Sequence, residues 1–194
     1  SSGNTNSSVD NLRKDSYNAF AAYMSDVIVH WAKEGVIDFQ STTPMNEPDT
    51  NYWGANSNKQ EGCHFDPGRS QSEIIVAFAK ELRAQIAASD NDNVKALENI
   101  IFSASDETSI DSAITNYGSL SNAAKNVVTR IDTHTYSGSK REELRKTAEA
   151  AGENLWMSEV DGAYTAGTDA GEMTAALGLA QRIMTDLKGL KSSA

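Results

Sequence analysis

Segments with the pattern of short strands alternate with segments of helical periodicity along most of the chain, and this alternation constrains the fold more than any other feature. The predicted strands are residues 36–43, 98–105, 126–136 and 154–159, and the predicted helices are 11–34, 70–88, 108–118, 139–151 and 170–188. Gly35, Gly152 and Gly189 are predicted helix stops. Strands that alternate with helices pair in parallel through right-handed crossovers, so the sequence predicts an α/β fold.

The charge balance and the single cysteine exclude several classes of protein. Acidic residues outnumber basic ones by 27 to 17, and the net charge of −10 disfavours a nucleic acid partner, because phosphate backbones bind clusters of Lys and Arg. No apolar run approaches the roughly 20 residues that span a bilayer. Cys63 is the only cysteine, so an internal disulfide is excluded. Its neighbour His64 is the only other metal-binding side chain of the Cys/His type nearby, so we interpret Cys63 as a loop-packing thiol and not as a metal ligand.

The length of 194 residues suits one domain of ordinary size. The chain begins with Ser, and no positively charged and then apolar leader precedes the first predicted helix. We therefore expect a chain that is processed, or excised from something longer.

Four strand–helix units are compatible with an open sheet and with part of a barrel. The chain contains no G-x-G-x-x-G, P-loop or G-x-S-x-G pattern, which argues against a nucleotide-binding domain and against an α/β-hydrolase. Polar side chains instead collect at the carboxyl ends of the predicted strands, where (β/α) barrels place their active sites.

Two glutamates lie at the carboxyl ends of predicted strands. Glu47 lies in TPMNEP (43–48) after the first predicted strand, and Glu159 lies in LWMSEVDG (155–162) at the end of the fourth. Both are expected at the same rim of a parallel sheet. Two carboxylates that converge at one rim are the equipment of glycoside hydrolysis, in which one protonates the leaving oxygen and the other acts at the anomeric carbon.

The alternation of side chains along strand 126–136 adds candidates at the same rim. One face carries Val128, Arg130, Asp132, His134 and Tyr136, and it becomes polar toward the carboxyl end of the strand. His134 and Tyr136 are therefore candidate site residues, although a buried, hydrogen-bonded histidine explains His134 equally simply. Trp156 stands three residues before Glu159 and so falls on the opposite face, where we expect it to pack under a helix.

The loop at 49–66 and the end of strand 98–105 carry weaker signals. Trp53 is the first candidate for a sugar platform in the loop, followed by Tyr52 and Phe65, and the alternative is an aromatic that anchors the loop. Asp106 and Glu107 either touch substrate or cap helix 108–118.

Four segments together resemble glycoside hydrolase family 30, namely TPMNEP, NYWGANSNKQEGCHFDPG, IDTHTY and LWMSEVDG. This family belongs to the retaining (β/α)-barrel clan, whose acid/base stands in an Asn-Glu-Pro motif. The resemblance implies a partial (β/α)8 barrel of about the fourth to seventh strand–helix units, not closed by this chain alone. Residues 1–194 would then be the central part of one catalytic domain, without the first three strands, the eighth strand and any accessory β-domain.

The resemblance also implies roles for individual residues. Glu47 corresponds to the general acid/base and Glu159 to the nucleophile, and Asn46 is expected to hydrogen-bond the hydroxyl next to the anomeric carbon. His134 and Tyr136 match residues that line the site, with Tyr136 orienting Glu159. The implied chemistry needs no cofactor and no metal.

The implied substrate is a β-linked polysaccharide or oligosaccharide, and the protein is expected to be secreted. The NYWG…QEGC loop most resembles the branch of the family that acts on β-1,6-galactan. The alternatives are another activity of the family (β-1,6-glucanase, xylanase or glucosylceramidase-like) and a non-catalytic carbohydrate-binding fragment. The isolated chain is expected to be inactive.

Overall fold

A computed structural model of the chain describes residues 9–54, 56–58, 62–160 and 171–192. The helices in these ranges are α1 (Tyr17–Lys33), α2 (Ser72–Ala88), α3 (Asp92–Lys95), α4 (Ile110–Ser119), α5 (Asn122–Lys125), α6 (Arg141–Ala151) and α7 (Met173–Leu190). The strands are β1 (Ser41–Thr42), β2 (Ile101–Ser109), β3 (Arg130–Ser137) and β4 (Asn154–Glu159). Short turns of other helix types cover Lys14–Ser16, Pro67–Gln71 and Ala96–Asn99.

The four strands form one parallel sheet in the order β1-β2-β3-β4. Within the described ranges β1 pairs only with β2 and β4 only with β3, so the sheet is open at both edges. The predicted α/β fold with parallel strands is confirmed. No helix in the described part of the chain is long and apolar enough to cross a membrane.

The core lies where the helices pack on one face of the sheet. Strand β3 shows this best, because Thr135 on its outer face donates a hydrogen bond of 2.7 Å to Asp186 of α7. Ile131, on the same face, is fully buried and is paired in register with Leu155 of β4. The opposite face of β3 carries Arg130, Asp132 and His134, so it is the inner face on which the site is built.

The boundaries of most elements differ from the sequence pattern by a few residues, as at β1, the start of α1 and the end of α7. Only Ser41–Thr42 of the predicted strand 36–43 is paired, because β1 is an edge strand, and Val36 and Ile37 are exposed. Helix α7 continues through Gly189 to Leu190, so Gly189 is not a helix stop. A Cβ at Gly189 would lie 2.8 Å from Arg141 Cδ, so the glycine allows α6 and α7 to pack closely. The first eight residues of the predicted N-terminal loop and residue 170 of the predicted last helix lie outside the described residues.

Strand β2 is longer than expected, and this corrects the capping interpretation of Asp106 and Glu107. Both residues belong to β2, which runs to Ser109. Ser109 is the N-cap of α4, and its side chain accepts a hydrogen bond from the backbone N–H of Ser112. A serine hydroxyl satisfies a free N–H at the helix start, so no carboxylate is needed for that purpose.

A register shift between β3 and β4 corrects the expected position of Trp156. Asp132 pairs with Trp156 but His134 pairs with Glu159, so β4 contains one extra residue between these two positions. Trp156 lies on the inner face because it pairs with Asp132, and the bulge brings Glu159 to the same face. The centre of the Trp156 ring lies 3.5 Å from the guanidinium carbon of Arg130. Counting alternate residues along β4 therefore gave the wrong face for Trp156, which packs against a cation instead of under a helix.

The ion pair beside Trp156 yields a stability prediction. Arg130 donates two hydrogen bonds to Asp132, of 2.6 and 2.8 Å, and both side chains are almost completely buried. Because Asp132→Ala leaves a buried guanidinium without its counter-ion, we expect the free energy of unfolding to fall by about 3–5 kcal/mol in chemical denaturation. The control is Asp38→Ala, which removes an exposed aspartate; a loss below about 1 kcal/mol for Asp132→Ala would contradict the prediction.

Candidate active site

Glu47 and Glu159 come together at the carboxyl end of the sheet. Glu47 lies in the turn after β1, and Glu159 is the last residue of β4. One carboxylate oxygen from each and one ring nitrogen of His134 all lie within 4.8 Å of one another. Retaining glycosidases hold their two carboxyl groups about 5–5.5 Å apart, and inverting enzymes about 6.5–9.5 Å apart. The short approach of these oxygens favours the retaining arrangement.

The backbone of Glu47 is held in an unusual conformation. Its φ is +47°, in the left-handed region that side chains other than glycine rarely adopt. Its N–H donates to the carbonyl of Asp106 in β2 at 2.9 Å. Its own carbonyl accepts from the backbone N–H of Thr50 at 3.1 Å and from the Thr50 hydroxyl at 2.9 Å. These bonds fix the turn from both sides, so the direction of the Glu47 side chain is determined by its neighbours.

Both carboxylate oxygens of Glu47 have a hydrogen-bond partner. His134 Nδ1 lies 2.9 Å from Oε1, and the Tyr52 hydroxyl donates to Oε2. Burial, together with the negative charge and hydrogen bond of Glu47, raises the pKa of Tyr52 to about 12. Tyr52 was expected at most as a second sugar platform, and its contact with Glu47 is a site interaction that sequence reasoning missed. Nothing in the local pattern marks it, because loop residues follow no period.

Two side chains of β3 lie beside the Glu159 carboxylate. The Tyr136 hydroxyl donates to its Oε1 at 2.9 Å, and His134 Nε2 lies 3.7 Å from its Oε2. The side chain of Glu159 is 47% exposed, whereas Glu47 as a residue is 4% exposed. One carboxylate is thus open to an incoming ligand while the other is enclosed by donors.

His134 lies between three carboxylates. In addition to Glu47 and Glu159, Asp106 Oδ1 lies 3.5 Å from its Nε2. Burial of the ring lowers the pKa of His134, but the hydrogen bonds and negative charges of these carboxylates offset that effect, so its net pKa is raised. Asp106 is the extra residue at a bulge in β2, where the register with β3 shifts, and its φ is +61°. Its carboxylate accepts a 2.6 Å hydrogen bond from the Ser158 hydroxyl. It therefore belongs to the site.

Asn46 and Cys63 lie beside the Glu47 turn. Asn46 is exposed, and its backbone carbonyl accepts a hydrogen bond from the Cys63 thiol at 3.1 Å. Burial raises the pKa of Cys63 to about 12, so the thiol keeps its proton at neutral pH. The interpretation of Cys63 as a loop-packing thiol agrees with this contact.

Trp53 and Phe65 hold the loop that follows. The Trp53 indole N–H donates to the carbonyl of Thr50 at 3.2 Å, and a Cβ on Gly62 would collide with the indole ring. Phe65 is buried in the core. These are the contacts of aromatic residues that anchor a loop, which was the alternative to a sugar platform.

The cluster of Glu47, His134 and Glu159 has the spacing of a cation site among the described residues. The carboxylate oxygens, however, already receive donors: Tyr52 and His134 on Glu47, and Tyr136 on Glu159. Carboxylates bound by O–H and N–H groups are arranged for proton chemistry.

The sequence profile of O-glycosyl hydrolase family 30 matches residues 1–137. That range contains Glu47, His134 and Tyr136, whereas Glu159 follows it. The chain is 34% identical to an endo-β-1,6-galactanase of Hypocrea rufa over 78% of its own length and 29% of that protein. It is 26% identical to an exo-β-1,6-galactobiohydrolase of Bifidobacterium longum subsp. longum over 98% of its length and 14% of that protein. The chain thus spans less than a third of these curated relatives.

Solved structures agree in fold. A family 30 subfamily 8 xylanase from Clostridium acetobutylicum superposes with a TM-score of 0.63 at 18% identity, over 94% of this chain and 40% of that one. An endo-β-1,6-glucanase gives a TM-score of 0.59 at 24% identity, over 92% of this chain and 35% of that one. The open four-stranded sheet is therefore consistent with part of the barrel of family 30 enzymes.

The carboxylates around His134 generate a prediction about its titration. Because Asp106 raises the pKa of His134, Asp106→Asn should lower that pKa. The pKa is measured by NMR titration of the imidazole signals, of which the chain has three to assign. A native pKa above the unfolded value means that His134 adds stability below about pH 6.5, and that this contribution is lost as the pH rises through the native pKa. Asp106→Asn should flatten that part of the stability profile. The control is Asp38→Asn, and an unchanged or higher His134 pKa in Asp106→Asn would contradict the prediction.

Proposed function

The chain belongs to O-glycosyl hydrolase family 30, and from this membership we propose that it carries the catalytic residues of a retaining β-glycosidase that acts by double displacement. The observation that supports this proposal most is the approach of Glu47 and Glu159 to within 4.8 Å, oxygen to oxygen, at the carboxyl end of parallel strands. That approach is nearer to the separation of about 5–5.5 Å in retaining enzymes than to the separation of about 6.5–9.5 Å that gives inverting enzymes room for an attacking water.

In the first step Glu159 attacks the anomeric carbon and Glu47 gives its proton to the leaving oxygen. Glu159 suits the nucleophile because it is the more exposed of the two and Tyr136 fixes one of its oxygens at 2.9 Å. The retaining mechanism requires one member of the pair to give a proton to the leaving oxygen. Glu47, enclosed by Tyr52 and His134, is the partner that we assign to proton transfer.

In the second step the glycosyl ester on Glu159 is attacked by water. Glu159 is then neutral, and Glu47 has lost its proton and accepts one from the water. Tyr52 and His134 are positioned to donate to the ionised form of Glu47, which stabilises the base that this step needs. Both steps use side chains of this chain and require no metal or cofactor.

We propose a β-1,6-galactan as the substrate, degraded outside the cell. The two curated relatives are named for action on β-1,6-linked galactose, one internally and one from a chain end. Asn46 is exposed next to Glu47 and would hydrogen-bond the hydroxyl beside the anomeric carbon, and Trp53 would border the sugar from the loop it anchors. A β-1,6-glucan, a xylan and a glucosylceramide are the competing substrates of the activity test.

We further propose that residues 1–194 form the central strand–helix units of a longer barrel, about the fourth to the seventh. The sheet is open at β1 and β4. Large apolar side chains are exposed on the helices at the two ends of the described chain, such as Tyr23 and Trp31 on α1 and Leu177 and Met184 on α7. Further elements of a barrel would cover them.

Replacing the two glutamates should separate their roles in the longer protein. Glu47→Gln should slow hydrolysis of β-1,6-galactan by about 10²–10⁴-fold but spare cleavage of an aryl β-galactoside with a good leaving group, which needs little protonation. Glu159→Gln should abolish both activities. Steady-state rates on the two substrates measure the difference, and equal losses from Glu47→Gln on both would remove Glu47 as the acid.

A matched control is Glu98→Gln, since Glu98 is exposed and lies in the turn Ala96–Asn99 before β2, at the opposite end of that strand from the site. Carbohydrate binding without measurable hydrolysis by the unsubstituted longer protein would favour the alternative of a non-catalytic carbohydrate-binding fragment.

The 194 residues alone should show no measurable turnover. The strands that carry Glu47 and Glu159 are the two edges of the sheet, and among the described residues each has a single neighbouring strand. Catalysis requires the pair to be held within about 0.5 Å of productive geometry, which a frayed edge does not provide. The test compares this chain with the longer protein on β-1,6-galactan. A rate within tenfold would contradict the prediction unless gel filtration shows that two copies assemble into one barrel.

A further inference from the structure

The bulge in β2 lies beside Thr133 of the neighbouring strand β3. Ser105 of β2 pairs with Asp132 of β3. The next pair of the ladder joins Glu107 to Thr133, so Asp106 is the extra residue between the two pairs. An extra residue of this kind is left out of the backbone ladder, so its position depends on the bonds that its own side chain and backbone make.

A second bulge lies on the other side of β3 at the same level. Met157 of β4 pairs with Thr133, the residue that also pairs with β2. The next pair joins Glu159 to His134, so Ser158 is the extra residue in β4. Strand β3 thus runs between two strands that each insert one residue beside Thr133.

The two extra residues are hydrogen-bonded to each other. The Ser158 hydroxyl donates to Asp106 Oδ1 at 2.6 Å. Because β2 and β4 are separated by β3 in the sheet, this bond crosses the inner face of β3, where Asp106 Oδ1 also lies 3.5 Å from His134 Nε2. An O–H group bonded to a carboxylate typically lies about 2.5–2.7 Å from it, and such bonds are stronger than bonds between neutral groups. The Asp106 side chain is 9% exposed, so little water competes for it.

This bond connects the two catalytic glutamates by a short path. The carbonyl of Asp106 accepts the backbone N–H of Glu47 at 2.9 Å. At the other end of the path, Ser158 is the residue that precedes Glu159. Two hydrogen bonds, both made by Asp106, therefore join the backbone of the proposed acid/base to the residue before the proposed nucleophile.

We propose that Ser158 is a positioning residue, whose bond to Asp106 joins the two bulges and sets the separation of Glu47 and Glu159. The proposal rests on the glycosidase function proposed above. Glu159 ends an edge strand of the described sheet, and β4 gives up a ladder position at Ser158. The bond across the sheet replaces the constraint that the bulge removes. Without it the end of β4 is free to shift, and a misplacement of about 1 Å can cost about 10²-fold in rate.

A double-mutant cycle on unfolding tests the bond without substrate. Asp106→Gly removes the carboxylate and still allows the positive φ, since glycine adopts it readily, and Ser158→Ala removes the hydroxyl. In chemical denaturation of the longer protein, the effect of Ser158→Ala on the unfolding constant should be at least about tenfold larger when Asp106 is present than in Asp106→Gly. Equal effects in the two backgrounds would show that the side chains are not coupled and would overturn the proposal.

Steady-state kinetics of the longer protein on β-1,6-galactan test the positioning role. Ser158→Ala should lower kcat more than about tenfold and change KM less than about threefold, because it misplaces Glu159 without removing a substrate contact. Ser158→Thr keeps a hydroxyl and should restore kcat to within about threefold of wild type. The matched control is Ser119→Ala, which removes an exposed hydroxyl that donates to the carbonyl of Thr115 in α4 at 2.9 Å, and it should leave kcat unchanged.

The outcomes separate this proposal from the proposed function. If wild type hydrolyses the substrate and Ser158→Ala keeps kcat within about threefold, the positioning role is wrong. A loss that is equally large in the Asp106→Gly background would overturn it as well. Absence of hydrolysis by wild type would remove the glycosidase function and the positioning role together, whereas the unfolding cycle would still report the bond. If Asp106→Gly does not fold, the comparison of Ser158→Ala with Ser158→Thr decides alone.

Discussion

The two β-bulges at the carboxyl ends of β2 and β4 are the constraint on which the rest of the site depends. A regular strand turns every second side chain to the same face, and on that rule Glu159 would share a face with Leu155 and point toward the helices. The extra residue in β4 pairs Glu159 with His134 instead and brings it to the inner face. A bulge gives up a ladder position and bends the strand, and here it orients a carboxylate toward its partner.

The bulge in β2 separates two adjacent acidic residues. Asp106, at a φ of +61°, faces His134 and Ser158, and its carbonyl holds the Glu47 N–H. Glu107 faces the helices, where desolvation favours its neutral form. One side of the strand thus presents the Asp106 carboxylate among other polar groups, and the other side buries Glu107, whose pKa is raised by desolvation. Asp106 acts on the turn of Glu47 through its backbone carbonyl, and Glu107 accepts a hydrogen bond from Gln71 on the other side of the strand.

The inner face of β3 connects these features. Arg130, Asp132 and His134 stand in one row, and Trp156 covers Arg130 at 3.5 Å. Solvent exposure of the polar side chains increases along the row. The pair of Arg130 and Asp132 is buried, whereas Tyr136 at the end of the strand binds the half-exposed Glu159. A buried ion pair at the base costs desolvation, but it holds the lower part of the strand in one arrangement. His134 above it can then contact three carboxylates without moving.

Much of the fold and part of the candidate site can be predicted from the sequence, because these features depend on local pattern. The alternation of strands and helices predicts the parallel sheet, and the predicted strand 154–159 matches β4. The positions of Glu47 and Glu159 after their strands place them at one rim, since the carboxyl ends of parallel strands lie together. The alternation along β3 also identifies the inner face with His134 and Tyr136. These are properties of neighbouring residues and of strand direction, which the chain carries in its order.

The tertiary structure alone decided which side chains meet. Trp156 was assigned to the wrong face, and Asp106 and Glu107 were interpreted as possible helix caps, because a bulge leaves no mark in the hydrophobic pattern. Tyr52 contacts Glu47 through a loop closed by Trp53, Cys63 and Phe65, and loops of that length have no period from which a contact follows. The raised pKa values of His134 and Glu107 depend on burial and on carboxylates that separate segments of the chain bring beside them. Local order determined the strands and the rim, whereas the bulges and the packing of distant segments determined the chemistry at that rim.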